Sequence, residues 1–151
     1  MAENREERSE GRQLFCRVIT PEEVIYDGEA ELVIARIADG DLGVLVDHAP
    51  LVSTVEVGEV RIREEDEQLV YATSDGFFKV SENLVQVLVE EAVSAEEIDV
   101  DAAENRVEEA ERELTEVSEE AEDRDRVVAE IERRQRMGEN LVRVARKYRE
   151  S

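Results

Sequence analysis

From Leu14 to Val93, apolar and polar residues trade places over short runs, and each run stops at a turn-forming residue. "LFCRVIT" precedes Pro21, "EEVIY" runs into Asp27-Gly28, and "AELVIARI" runs into Asp39-Gly40. "VEVGEVRIRE", "QLVYATS" and "NLVQVLVEE" continue the alternation. Period-two patterning rich in β-branched residues is what half-buried strands require. Asp75-Gly76 is expected to turn the chain ahead of "FFKV", and Ser81-Glu82-Asn83 ahead of "LVQVLV". Val55, Val57, Val60 and Ile62 change parity across Gly58, as expected of a bend or bulge. About nine or ten strands are too many for one open sheet of this size. The expectation is a β-sandwich of about ten antiparallel strands over residues 13–93.

After Val93 the period changes to that of a helix. Ala103, Val107, Ala110, Leu114, Val117 and Ala121 are spaced 4, 3, 4, 3, 4, which puts them on one stripe. Ser94 with Glu97 forms a capping-box pattern, and Asp99 is a rival N-cap one turn later. A break near "EEAEDRD" separates this run from a second one carrying Val128, Ile131, Leu141, Val142, Ala145 and Tyr148, with Gly138 inside it. Residues 94–151 therefore read as an αα-hairpin following the sandwich. Its apolar stripe is narrow and alanine-rich, so the burial it offers is modest and the hairpin is expected to be able to change partners. Residues 1–12 read as a disordered tail.

Charge narrows the function. Forty-one acidic residues against nineteen Lys and Arg give a net charge of -22 over the 151 residues, which repels nucleic acid and anionic membrane alike. Carboxylates spread along the whole chain suit a protein working in concentrated salt, where screening removes self-repulsion. No run approaches the roughly 18 apolar residues of a membrane span, so direct insertion is not expected. Against this background the end of the second helix is basic. Arg133, Arg134, Arg136, Arg143, Arg146, Lys147 and Arg149 stand against Glu139 and Glu150, a local balance of plus five. Two readings are open: pairing with the acidic first helix and the C-terminal helix dipole, or a docking face for an acidic protein surface.

Catalytic chemistry finds no foothold. His48, in "GDLGVLVDHAPL", is the one histidine, and Cys16 is the one cysteine. A metal site, a Cys–His pair, a nucleophile elbow and a P-loop are all missing from the sequence. His48 reads as a turn residue bonding nearby backbone while Pro50 sets the following bend, with a pH-sensing role as the alternative. Cys16 reads as a small buried hydrophobe.

The segment "GDLGVLVDHAPLVSTVEVGEVRI" resembles the G-[ED]-L-G-[IV]-L-x-x-H-A-P-L stretch of the epsilon subunit family of F-type ATP synthases. "VITPEEVIYDGEAELVIARIADG" upstream and "YATSDGFFKVSENLVQVLVEEAVSAEEIDVDAA" downstream are similar to that family in the same order. The resemblance implies a non-catalytic rotor subunit, peripheral on the cytoplasmic face of a bacterial plasma membrane. Its sandwich would hold the gamma subunit and the c-ring, coupling hydrogen-ion or sodium flow to ATP synthesis. It maps the c-ring contact onto Gly40, Asp41, Leu42 and the turn through His48, Ala49 and Pro50. It also implies a hairpin that folds on the sandwich or extends to the alpha and beta subunits, where the basic helix blocks ATP hydrolysis. Some members bind a regulatory ATP through an I/L-D-x-x-R-A motif. Here Ile98 and Asp99 are present, but Ala102 stands where the arginine would be. Outside the resemblance, the residues alone also fit a free-standing sandwich adaptor with an acidic partner, or an enzyme built from scattered carboxylates.

Overall fold

The computed structural model describes residues 12–149. The expected tail falls on residues that, Arg12 apart, lie outside these. In chain order the strands are β1 (Leu14–Ile19), β2 (Val24–Ala30), β3 (Leu32–Ile37), β4 (Gly40–Val44) and β5 (Leu51–Val55). They continue with β6 (Gly58–Glu64), β7 (Glu67–Thr73), β8 (Gly76–Ser81), β9 (Leu84–Val89) and β10 (Ala92–Ser94). A 3-10 turn at Ala95–Glu97 leads to α1 (Val100–Glu116) and α2 (Arg124–Arg149). Two compact units divide between Ala92 and Val93.

The first unit is the expected β-sandwich. Its sheets run β2-β1-β9-β8-β5 and β10-β7-β6-β3-β4. Alternation along each strand sends Leu14, Cys16, Val18, Phe78, Val80, Val85 and Val87 inward from one sheet, and Val33, Ala35, Val60 and Ile62 inward from the other. Burying each such Val, Leu, Ile or Phe contributes about 1.5–3 kcal/mol. Burial, with the Asp27 charge adding to it, pushes the Cys16 thiol up to about 12, so Cys16 packs as a hydrophobe.

Several local expectations are corrected. Asp27-Gly28 is no turn: β2 runs through it, pairing Asp27 with Arg17 and Gly28 with Cys16. Of the bend or bulge expected at Gly58, the bend is found: the chain bends at Val57, Gly58 opens β6 after β5 has ended, and those strands belong to different sheets, so the parity change marks a crossing between layers. The pairing is not wholly antiparallel either, because β1 lies parallel to β9, with Phe15 opposite Leu84 and Ile19 opposite Leu88.

In the second unit Asp99 is the N-cap of α1, its carboxylate accepting from the Ala102 N–H at 3.1 Å, whereas Ser94 makes no side-chain cap. The α1 stripe was expected to reach Ala121, but the helix ends at Glu116 and Val117 is already extended. On α2 the buried side is Ile131, Met137, Gly138, Asn140, Leu141, Val144 and Ala145. Met137 and Val144 take core places expected for Val128 and Val142, which are half-buried. Gly138 does not interrupt α2. A Cβ there would stand 2.8 Å from Val107 Cγ2 and 3.3 Å from the Ala103 carbonyl, so the glycine lets the two helices approach closely.

Candidate functional site

The residues singled out between Gly40 and Pro50 do not form one cluster. Gly40, Asp41 and Leu42 begin an edge strand, whereas His48, Ala49 and Pro50 lie in the loop beyond its far end. Gly40 and Val44 are four residue steps apart along the strand, about 13 Å at the usual rise. Gly40 has φ +119°, a backbone that a side chain disfavours, and this allows the tight turn from β3. Asp41 sits between two guanidinium groups, Arg36 Nε at 3.4 Å and Arg61 Nη2 at 3.2 Å. Leu42 is partly buried and packs on the sandwich core.

At the other end, the β4–β5 loop turns back with the His48 N–H donating to the Leu45 carbonyl at 3.2 Å. The His48 ring bonds backbone: Nδ1 lies 2.7 Å from the Ala49 carbonyl, which requires the proton on Nδ1. Asp47 has φ +64° and is fastened to the β8–β9 turn. Its N–H donates to Asn83 Oδ1 at 2.6 Å, while Asn83 Nδ2 donates to Asp47 Oδ1 at 3.2 Å. Arg12 Nη1 donates to the second carboxylate oxygen at 2.9 Å. The Asn83 amide, then Arg12, holds the Asp47 carboxyl below the usual carboxylate range.

Sequence reasoning missed the apolar surface around these points. Leu45 is 58% and Val46 38% exposed at the loop tip. On the outer face of the first sheet, Phe15, Val52, Phe77 and Leu88 are exposed, and Phe77 pairs across strands with Leu88. The signal was present as apolar residues at outward positions of alternating strands, where solvent-facing strands carry polar ones.

In the helical unit, pairing in cis accounts for part of the basic end. Arg134 grips Glu113 with two bonds, at 2.8 and 3.2 Å, lowering the Glu113 carboxyl, and Arg146 pairs with Glu104 at 3.0 Å. Arg143 bonds Asn140, and Arg149 donates to the carbonyls of Ile98 and Ala95. Arg133 and Lys147 make interactions of their own, and Arg136 is exposed.

A cavity of about 270 Å³ opens at the start of α1, lined by Ile98, Asp99, Ala102 and Ala103 together with Glu97, Arg106 and Leu141. Arg106 is the one cation among these residues, against two carboxylates. A nucleoside triphosphate needs several charge-assisted donors around its phosphates. These residues do not fit it.

The chain matches the model for the ATP synthase, Delta/Epsilon chain, beta-sandwich domain over residues 13–95. It is 66% identical over 140 residues to the ATP synthase epsilon chain of Rubrobacter xylanophilus, covering 92% of this chain and 96% of that one. It is 35% identical over 131 residues to the sodium ion specific ATP synthase epsilon chain of Propionigenium modestum, covering 87% and 92%. Among solved structures it is similar to a chain of the Euglena gracilis mitochondrial ATP synthase, in an assembly of OSCP, F1 and c-ring. That match has a TM-score of 0.66 and 25% identity over 86% of this chain and 79% of that chain. Among the described residues no helix is long and apolar enough to cross a membrane.

Proposed function

This chain belongs to the ATP synthase delta/epsilon chain family, and from that premise we propose that it serves in the central stalk, coupling ion flow through the c-ring to ATP synthesis. As an epsilon chain it is a non-catalytic subunit of the complex. The observation that carries the reading is the family match across the whole sandwich, joined to 66% identity over 92% of the chain.

The separation of the two ends of β4 supports a division of partners. The polar end, with Gly40 and the Arg36–Asp41–Arg61 cluster, faces the polar loops of the c-ring. The exposed apolar face of Phe15, Phe77 and Leu88, with the Leu45–Val46 loop tip, suits the permanent grip on gamma, since lasting interfaces bury apolar surface. The protein then sits peripherally on the cytoplasmic side of the membrane, held there by its partners.

The helical hairpin is the regulatory part. In its closed form Arg134 and Arg146 are satisfied by Glu113 and Glu104. Extension along the stalk exchanges these carboxylates for acidic groups on alpha and beta, and the inserted helix blocks ATP hydrolysis. The pairs in cis lie at or near the surface and are individually weak, so giving them up costs little. The poor fit of the cavity beside Ala102 argues for a hairpin whose position is not set by bound ATP.

The test is ATP hydrolysis and ATP-driven ion pumping by the assembled enzyme, with the full chain and with one ending at Val93. Hydrolysis that rises on truncation while pumping survives assigns inhibition to the hairpin and coupling to the sandwich. Unchanged hydrolysis removes the inhibitory role and leaves the arginines to their pairs in cis.

A further inference from the structure

We propose that Asn83 is a positioning residue which, with Asp47 and Arg12, locks the β4–β5 loop to the β8–β9 turn and so presents Leu45 and Val46 to gamma as a rigid contact. The inference rests on the reading of that loop as a gamma contact and adds what holds it in place.

A six-residue loop with two exposed apolar side chains at its tip is costly to order when it binds. A contact that must transmit rotation gains from being ordered beforehand. The structure supplies the means from two distant parts of the chain. Asp47 and Asn83 are 36 residues apart, yet each donates one hydrogen bond to the other. Both have left-handed backbones, φ +64° and +63°, so each carbonyl and amide is aimed by a turn rather than by a strand. The turn beneath is itself anchored, because the Phe15 N–H at the start of β1 donates to the Asn83 carbonyl at 2.8 Å. Arg12 fills the remaining oxygen of Asp47. Asp and Asn are the side chains that tolerate such a backbone while still offering an acceptor, which accounts for the residue types at both positions.

Asn83→Gly is the informative variant, since glycine keeps the positive φ and the backbone bond to Phe15 while deleting the side-chain amide. Asp47→Asn is the conservative counterpart, as it keeps an acceptor for Asn83 Nδ2 and a backbone donor. Leu45→Asp reports on the loop contact itself. Hydrogen exchange of residues 45–50 in the free chain, and the dissociation rate of the chain from the assembled enzyme, are read for all three. Loss of two bonds is expected to speed loop exchange and dissociation about tenfold in Asn83→Gly. Asp47→Asn keeps both Asn83 bonds and loses only the solvent-exposed Arg12 pair, which contributes little, so it should stay within about threefold of the parent, and Leu45→Asp should dissociate faster with unchanged loop exchange. If Leu45→Asp weakens assembly but Asn83→Gly does not, the positioning role is wrong and the contact stands. The role is equally wrong if Asn83→Gly dissociates faster with its loop exchange unaltered. If Leu45→Asp assembles normally, the loop is not the gamma contact and both readings fall.

Discussion

A Cβ built on Gly76 would stand 2.1 Å from the Leu88 carbonyl oxygen and 2.9 Å from Val89 Cγ1, distances at which backbone has to move. Gly76→Ala is therefore expected to destabilise the chain by about 3 kcal/mol, through overpacking rather than through lost conformational freedom. The check is a urea titration: the midpoint falls while the slope is kept. A shift equal to that of a surface substitution would mean that β8 and β9 separate easily here. The sequence marked Asp75-Gly76 as a turn, and the chain does cross there from β7 to β8. The reason for glycine was not legible, because it lies in the approach of β9, which local sequence does not specify. Ser74 beside it was passed over for the same reason. Its buried hydroxyl accepts from the N–H groups of both Glu90 and Glu91, at 3.1 and 3.0 Å, which fastens two turns that are distant in sequence.

Whole elements were legible where one period held and one face was buried. Alternation located the strands, and the change at Val93 located the hairpin. What alternation lacks is pairing, so the parallel β1–β9 contact between residues about 70 positions apart was invisible, as was the division of one strand-like run between two sheets at Gly58. The same limit applies to the site. "GDLGVLVDHAP" reads as one motif, but β4 holds its halves at opposite ends. In the hairpin, apolar spacing continued to Ala121 while the helix stopped at Glu116, since apolar spacing alone does not mark where a helix ends. Gly138 tests the packing argument. Alanine improves intrinsic helix propensity by about 1 kcal/mol. At this position, however, its methyl meets Val107 at 2.8 Å. Gly138→Ala should make the isolated α2 peptide more helical and yet open the hairpin, widening the distance distribution between spin labels at Glu108 and Glu139. An unchanged distribution would show that Val107 yields and that close approach at Gly138 does not hold the helices together.

A net charge of -22 acts on the molecule as a whole, and carboxylates gather around β2, β6 and their turns. Desolvation, with Glu29, Glu65, Glu31 and Glu67 adding their charges, raises the Glu64 carboxyl above its ordinary range. The sign follows from linkage. A carboxyl raised in the folded state is a burden when ionised, so its cost is full above the folded pKa and is relieved as pH falls below the unfolded value. The Asp47 and Glu113 carboxyls, lowered by their partners, work the other way: their support is complete above the unfolded pKa and is lost as pH falls through the folded one. Near neutral pH in dilute buffer, Glu64→Gln should therefore raise the melting temperature, as read by scanning calorimetry. At 1 M salt the screening length falls to about 3 Å and repulsion from neighbouring carboxylates fades. The advantage of Glu64→Gln should then shrink to the part that desolvation contributes, while the unmodified chain itself melts higher. An advantage that is the same at both salt concentrations would assign the burden to desolvation alone. The dispersed acidity would then exert no appreciable strain on this sandwich, and high salt would not be needed to relieve it.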